Sequence, residues 1–161
     1  MSRITILNDD VIDATFKADS GILIHGCNAL GRFGRGVAGA IRERVPMACA
    51  AYFDHYKEHG LFLGDIVPVK VSTTHFVVNA ITQERHARYA SDRTVYVDYD
   101  AIELAFARTA ELAQAEGVDQ IYFPKIGCGL ANGEWPEVEA RILTAVPSSI
   151  SLYLCVPSYL A

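Results

Sequence analysis

The stretch from Gly21 to Gly39, GILIHGCNALGRFGRGVAG, sets an almost wholly apolar run against a glycine-rich loop. Gly21 to His25 has the length and composition of a central strand buried on both faces. A loop from Gly26 to Arg35 follows, and a helix is predicted from Gly36 to Arg44, ending ahead of Pro46. Glycines at 34 and 36, just before that helix, let backbone N–H groups approach an anion closely, with the helix dipole adding to the attraction. A tight loop needing positive φ angles is the plainer alternative. Four glycines within nine positions (31, 34, 36 and 39) favour phosphate binding.

The same order recurs further on. Ile121 to Phe123 reads as a short strand, PKIGCGLANGEW (Pro124 to Trp135) as a second glycine-rich loop, and Trp135 to Val146 as a helix with Pro136 in its first turn. Ligands of α/β folds sit at the carboxyl ends of strands, and both loops fall there. Two such loops at one sheet edge suit a diphosphate gripped from both sides. Gly34, Gly36 and Gly39 also form a literal G-x-G-x-x-G, but its context is wrong for a nicotinamide dinucleotide. Its first glycine lies nine positions after His25, and the helix is followed by more helix, Met47 to His59, rather than by a strand ending in an acid.

Outward from these loops, Arg3 to Leu7, Asp65 to Lys70, His75 to Ile81 and Ile150 to Val156 read as strands. Thr82 to Val97 reads as a polar loop. Asp98 to Glu116 is a long amphipathic helix, with Ile102, Ala105, Phe106, Thr109, Leu112 and Ala113 at helical spacing and Gly117 closing it. Strands alternating with helices predict a three-layer α/β/α sandwich on a mixed, mainly parallel sheet. No linker or repeat divides residues 1–161, so one domain is expected.

Composition bounds the rest. The chain has 161 residues, 51% hydrophobic and 20% charged, which supplies a core and gives no case for disorder. A net charge of -5 argues against a general nucleic-acid binder. Arg32 and Arg35 form a local surplus that could meet a small anionic ligand, while Arg42 and Arg44 read as a solvated helix face. Cys27, Cys49, Cys128 and Cys155 show no metal-binding spacing, so reduced thiols and no metal are expected. The first twenty residues carry four aspartates and no apolar leader, and no apolar run reaches membrane-spanning length. A cytoplasmic location away from membranes is the expectation.

Several residues beside the loops carry chemistry. His25 ends the buried strand; it reads equally as a satisfied interior histidine and as a general acid or nucleophile. Asn28 could bond a ribose hydroxyl or cap its own loop. Asp9 and Asp10 follow the first strand, where a carboxylate could accept from an adenine amino group or cap a helix. Trp135 reads as a packing anchor.

Together these segments resemble the macrodomain family. ITILNDDV (Ile4 to Val11) is similar to its opening strand and turn, with Asp10 and Val11 at the adenine-recognising positions and Asp9 where a glycine is usual. ILIHGCN with GRFGRGVAGAI is similar to the ribose and first phosphate loops, and PKIGCGL to the second. The resemblance covers the whole chain and implies binding of ADP-ribose or ADP-ribose 1″-phosphate, or of ADP-ribosylated macromolecules, with no cofactor. Gly34, Arg35, Gly36 and Val37, together with Ile126, Gly127, Cys128, Gly129 and Leu130, would hold the phosphates.

PKIGCGL is similar to the glycohydrolase branch, which uses a lysine after the middle strand and, in its glutamate-acting members, an aspartate in the second loop. Gln83 and Ala131 stand at those positions and weigh against that mechanism. ILIHGCN is more similar to the ADP-ribose 1″-phosphate phosphatases, which implies His25 as the catalytic residue and Asn28 as the group positioning the distal ribose. Arg35 and the mobile-looking segment Arg85 to Arg93 are candidates for orienting water or stabilising charge. Binding without turnover, and ADP-ribosyl hydrolysis by substrate-assisted water relying on Asn28, are the alternatives.

Overall fold

The computed structural model describes residues 3–158. The elements run β1 (Ile4–Leu7), α1 (Val11–Lys17), β2 (Gly21–Asn28), α2 (Gly36–Arg44), α3 (Pro46–His59), β3 (Ile66–Lys70), β4 (His75–Gln83), α4 (Tyr99–Glu116), β5 (Gln120–Phe123), α5 (Trp135–Ala145) and β6 (Ser151–Cys155). The six strands form one sheet in the order β1-β6-β5-β2-β4-β3. β3 is antiparallel to β4, and every other pairing is parallel.

Alternation along the central strands sorts side chains to two cores. Ile22, Ile24, Val78 and Phe123 face α4 and α5, packing on Ile102, Phe106, Val138 and Ile142. Leu23, Val77, Ile81 and Tyr122 face the other layer, packing on Ile12, Ile41, Ala48 and Tyr52. This is the expected three-layer sandwich. Its long helix α4 starts on the Asp98 side chain, which accepts from Ala101 N, and ends at Gly117 in the left-handed conformation. Among the described residues, no helix is long and apolar enough to cross a membrane.

Two differences from the sequence reading matter for the site. Helix α1 was not delineated, because seven residues are too few for a helical period to show; its start is marked by Asp10, whose side chain accepts from Ile12 N and Asp13 N. The strands β2 and β4 also run past their expected ends, to Asn28 and Gln83, with a register irregularity between Cys27 and Asn28. Ala29 N still donates to Gln83 O at 2.9 Å. Asn28 and Gln83 therefore stand on the sheet's carboxyl edge, where a rigid ladder fixes their backbones.

Candidate functional site

Because β2 and β5 are neighbours, their two glycine loops lie side by side, and between them opens a cavity of about 720 Å³. Asn28, Gly34, Arg35, Gly36, Val37, Ile126, Gly127, Cys128, Gly129 and Leu130 all line it, as does His25. Asp10 and Val11 do not. Asp10 caps α1 and meets Arg44 at 3.1 Å, and Val11 is in the core.

The first loop is held from behind. Asn28 Oδ1 accepts from Leu30 N (3.0 Å) and Arg32 N (3.3 Å), and its Nδ2 donates to Arg32 O (2.9 Å). The Tyr52 hydroxyl, reaching across from α3, donates to Asn28 O at 2.7 Å. Phe33 is buried against Tyr52 (5.1 Å between ring centroids) and edge-on to His25 (5.5 Å). Arg42 and Arg44 lie on an exposed helix face, as expected, yet both are engaged. Arg42 donates to Phe33 O at 2.9 Å, and Arg44 pairs with Asp10 and Asp13, tying α2 to α1.

At the mouth of this loop α2 begins with Arg35 as N-cap and no side-chain cap. Among the described residues, the N–H groups of Gly36, Val37 and Ala38 have no partner. Such an uncapped helix start attracts an anion. Gly36 sits at φ +55° with open space where a side chain would go.

The second loop folds over itself through Gly133 N→Gly127 O (2.6 Å) and Asn132 N→Gly129 O (3.0 Å). Gly127 has φ +77°, and a Cβ there would lie 2.5 Å from Val97 Cγ2, so only glycine lets the loop pass this close. The segment 84–97, which contains the mobile-looking stretch Arg85 to Arg93, is strapped to this loop. Ala131 O accepts from Tyr96 N (2.8 Å) and Val97 N (3.3 Å), and Leu130 O accepts from Ala87 N (2.9 Å). Asn132 Nδ2 donates to Asp92 O and Thr94 O at 2.8 and 2.9 Å. Trp135 stacks on Phe123 at 6.4 Å, a packing contact.

The charge of the cavity opposes that of the chain. Arg32, Arg35 and Lys125 line it, and no carboxylate does. Among the described residues these three cations make no ion pair. A cationic cleft within an acidic protein concentrates anionic ligands. Among the described residues, no three His, Cys, Asp or Glu side chains gather to hold a metal ion.

His25 is set as an interior residue. It is 1% exposed, its Nε2 lies 2.7 Å from Asn79 Oδ1, and Cys27 Sγ is 3.9 Å from Nδ1. Burial pulls its pKa down to about 4, against the opposing pull of the Asn79 bond. At neutral pH the ring is uncharged, which weighs against it as a proton donor. Burial likewise pushes the Cys27 thiol up. Gln83 lines the cavity with its Nε2 donating to Arg85 O at 3.1 Å, and Ala131 is buried beneath the strap.

Residue-by-residue reading singled out neither Lys125 nor His86 as a liner. Lys125 lies two positions past β5 inside the quoted loop, which is a usable signal. His86 lies on the strap, three positions past the end of β4, and only the folded strap brings it to the cavity.

The Macro domain family model matches residues 24–142. Across 87% of this chain and 92% of the other, the sequence is 28% identical to an ADP-ribose 1″-phosphate phosphatase of Meyerozyma guilliermondii. The fold superposes on a macrodomain protein from Streptomyces coelicolor with a TM-score of 0.76 and 27% identity, covering 95% of this chain and 98% of that one. It also superposes on Thermosipho africanus DarTG in complex with ADP-ribose, at a TM-score of 0.73 and 20% identity, covering 96% of this chain and 41% of that one.

Proposed function

Because the chain belongs to the Macro domain family, we propose that it binds ADP-ribose derivatives by their diphosphate and hydrolyses ADP-ribose 1″-phosphate or a related ADP-ribose ester. One observation carries the binding: two glycine loops, the first opening a helix whose leading N–H groups are unpartnered, face a cavity lined, among the described residues, by Arg32, Arg35 and Lys125 and by no carboxylate. Backbone N–H groups at a helix start and cations beside them stabilise a dianionic ligand. The distal ribose then lies at Asn28, whose Nδ2 keeps one N–H beyond the bond to Arg32 O.

Turnover is supported by the similarity to the phosphatase. His25, uncharged at neutral pH with its Nε2 hydrogen given to Asn79, is a poor source of a proton for a leaving group. Hydrolysis in this cavity therefore relies on charge stabilisation by Arg32, Arg35, Lys125 and the loop N–H groups acting on the phosphoryl oxygens, with water as nucleophile. The second reading is a binding module without turnover. It is favoured by Gln83 and Ala131, which offer neither a nucleophile nor an acid.

Titration calorimetry with ADP-ribose tests the binding, and an absence of heat at millimolar ligand would end both readings. Phosphate release from ADP-ribose 1″-phosphate separates them. Release that continues in His25→Ala supports water attack without that histidine, whereas no release by the wild type leaves the binding module.

A further inference from the structure

Two histidines line the cavity, and among the described residues both ring nitrogens of His25 have partners whereas His86 keeps one without. His86 Nδ1 lies 3.1 Å from Ala87 O, which accepts only, so Nδ1 carries the hydrogen. Nε2 then has no partner among the described residues. The ring is half-buried on the strap, whose Ala87 N is bonded to Leu130 O, so it is held on the same wall as the second loop.

Strand order places this ring along the ligand. Asp10 follows β1 at one edge of the sheet, the two glycine loops follow β5 and β2, and Gln83 and His86 follow β4 beyond them. With the diphosphate between the loops, the end of the ligand that extends past β2 toward β4 reaches His86, and under the ADP-ribose reading that end is the distal ribose at Asn28.

We infer, resting on the ADP-ribose reading above, that His86 is the residue that selects a phosphate on the distal ribose, its Nε2 sharing one proton with a phosphate oxygen. The charged and titratable groups around it fit that task. From the first loop come Arg32 and Arg35, from the second Lys125 and Cys128, and on its own strap Glu84, Arg85 and Arg88, of which none of the last three lines the cavity. No carboxylate in the cavity competes for Nε2, so the phosphate is its acceptor. A phosphomonoester gives up its second proton at about pH 6. The complex keeps one proton between the phosphate oxygen and Nε2, so affinity falls as the free phosphate loses its own.

The test measures binding of ADP-ribose and of ADP-ribose 1″-phosphate by calorimetry at pH 6.5 and 8.5, with turnover followed in parallel. The wild type is expected to prefer the phosphorylated ligand, and to prefer it less at pH 8.5. His86→Ala should lose about tenfold to a hundredfold of that preference while keeping its affinity for ADP-ribose. His86→Gln, which keeps a polar group in this place, should keep part of the preference. Equal preference in the wild type and His86→Ala overturns the assignment, and so does a parallel loss of ADP-ribose affinity, which would mark a structural role. A wild type that binds ADP-ribose without preferring the phosphorylated ligand overturns it alone. A wild type that binds neither overturns the ADP-ribose reading as well.

Discussion

Asn79 Oδ1 accepts the Nε2 hydrogen of His25 at 2.7 Å, and this pairing fixes the tautomer of a ring that burial keeps uncharged. Both amide hydrogens of Asn79 are already given to Ala48 O (3.1 Å) and Val67 O (3.2 Å), so its oxygen can only accept. The imidazole must present Nε2–H, and Nδ1 has only the Cys27 sulfur nearby. A second ring proton would find no water, since both residues are buried.

The pH dependence follows. His25 has a folded pKa of about 4, below the ~6.5 of an exposed histidine. Between these values the unfolded chain binds more protons, so stability is full above about pH 6.5 and declines as pH falls toward 4. By pH 5 the loss from this one residue is about 2 kcal/mol. Urea unfolding of the wild type and His25→Gln at pH 7 and pH 5 checks it. The variant should show the shallower pH dependence, and equal slopes would remove His25 as the cause.

Gly127 and Gly129 differ in what they tolerate. At Gly127, φ is +77° and Val97 Cγ2 would be 2.5 Å from an added Cβ, whereas nothing lies within 4 Å of one at Gly129. Gly127→Ala should lower stability by about 2 kcal/mol through backbone strain and the clash. Gly129→Ala should stay within about 0.5 kcal/mol of the wild type. Equal midpoints in urea for the two variants would contradict the packing of Val97 on this loop.

Gly36 separates shape from charge. Its φ of +55° makes alanine strained by about 1 kcal/mol, yet the space beside it is open, so Gly36→Ala should fold and bind ADP-ribose with a modest loss. Gly36→Glu puts a carboxylate at the unpartnered N–H groups of α2, where the diphosphate is proposed to lie. Its affinity should fall below detection in calorimetry. Retained affinity would mean that the phosphates lie elsewhere.

The sequence made the frame legible where a local pattern carried it. GILIH, the period of Asp98 to Glu116 and the two glycine loops gave the layers and the edge of the site. What it withheld depends on contacts between distant residues. Asn79 lies 54 positions from His25, so nothing in ILIHGCN tells a buried neutral ring from an acid. The strap looked mobile because its residues are polar, but Asn132 supplies its backbone with donors from 38 and 40 positions away. Helix α1 was too short for its period to register, although its capping aspartate was noticed.

The last relationship, between Tyr52 and Asn28, links the core to the ligand loop. The Tyr52 hydroxyl donates to Asn28 O at 2.7 Å and lies 3.1 Å from Asn28 Oδ1. Burial raises the phenol's pKa, so it stays a donor across the working pH range. Tyr52→Phe keeps the ring against Phe33 but leaves the Asn28 carbonyl buried without this partner, a loss of about 1–2 kcal/mol. Asn28→Ala removes the bonds to Leu30 N, Arg32 N and Arg32 O, and should lose more. Because both side chains hold one loop, their effects should not add. The double variant is expected to fall short of the summed losses by about 1 kcal/mol, as coupled neighbours do. ADP-ribose affinity should decline in the same order as stability of the loop, Tyr52→Phe less than Asn28→Ala. Additive stabilities, or affinity unchanged in both variants, would show that the first loop keeps its shape without them.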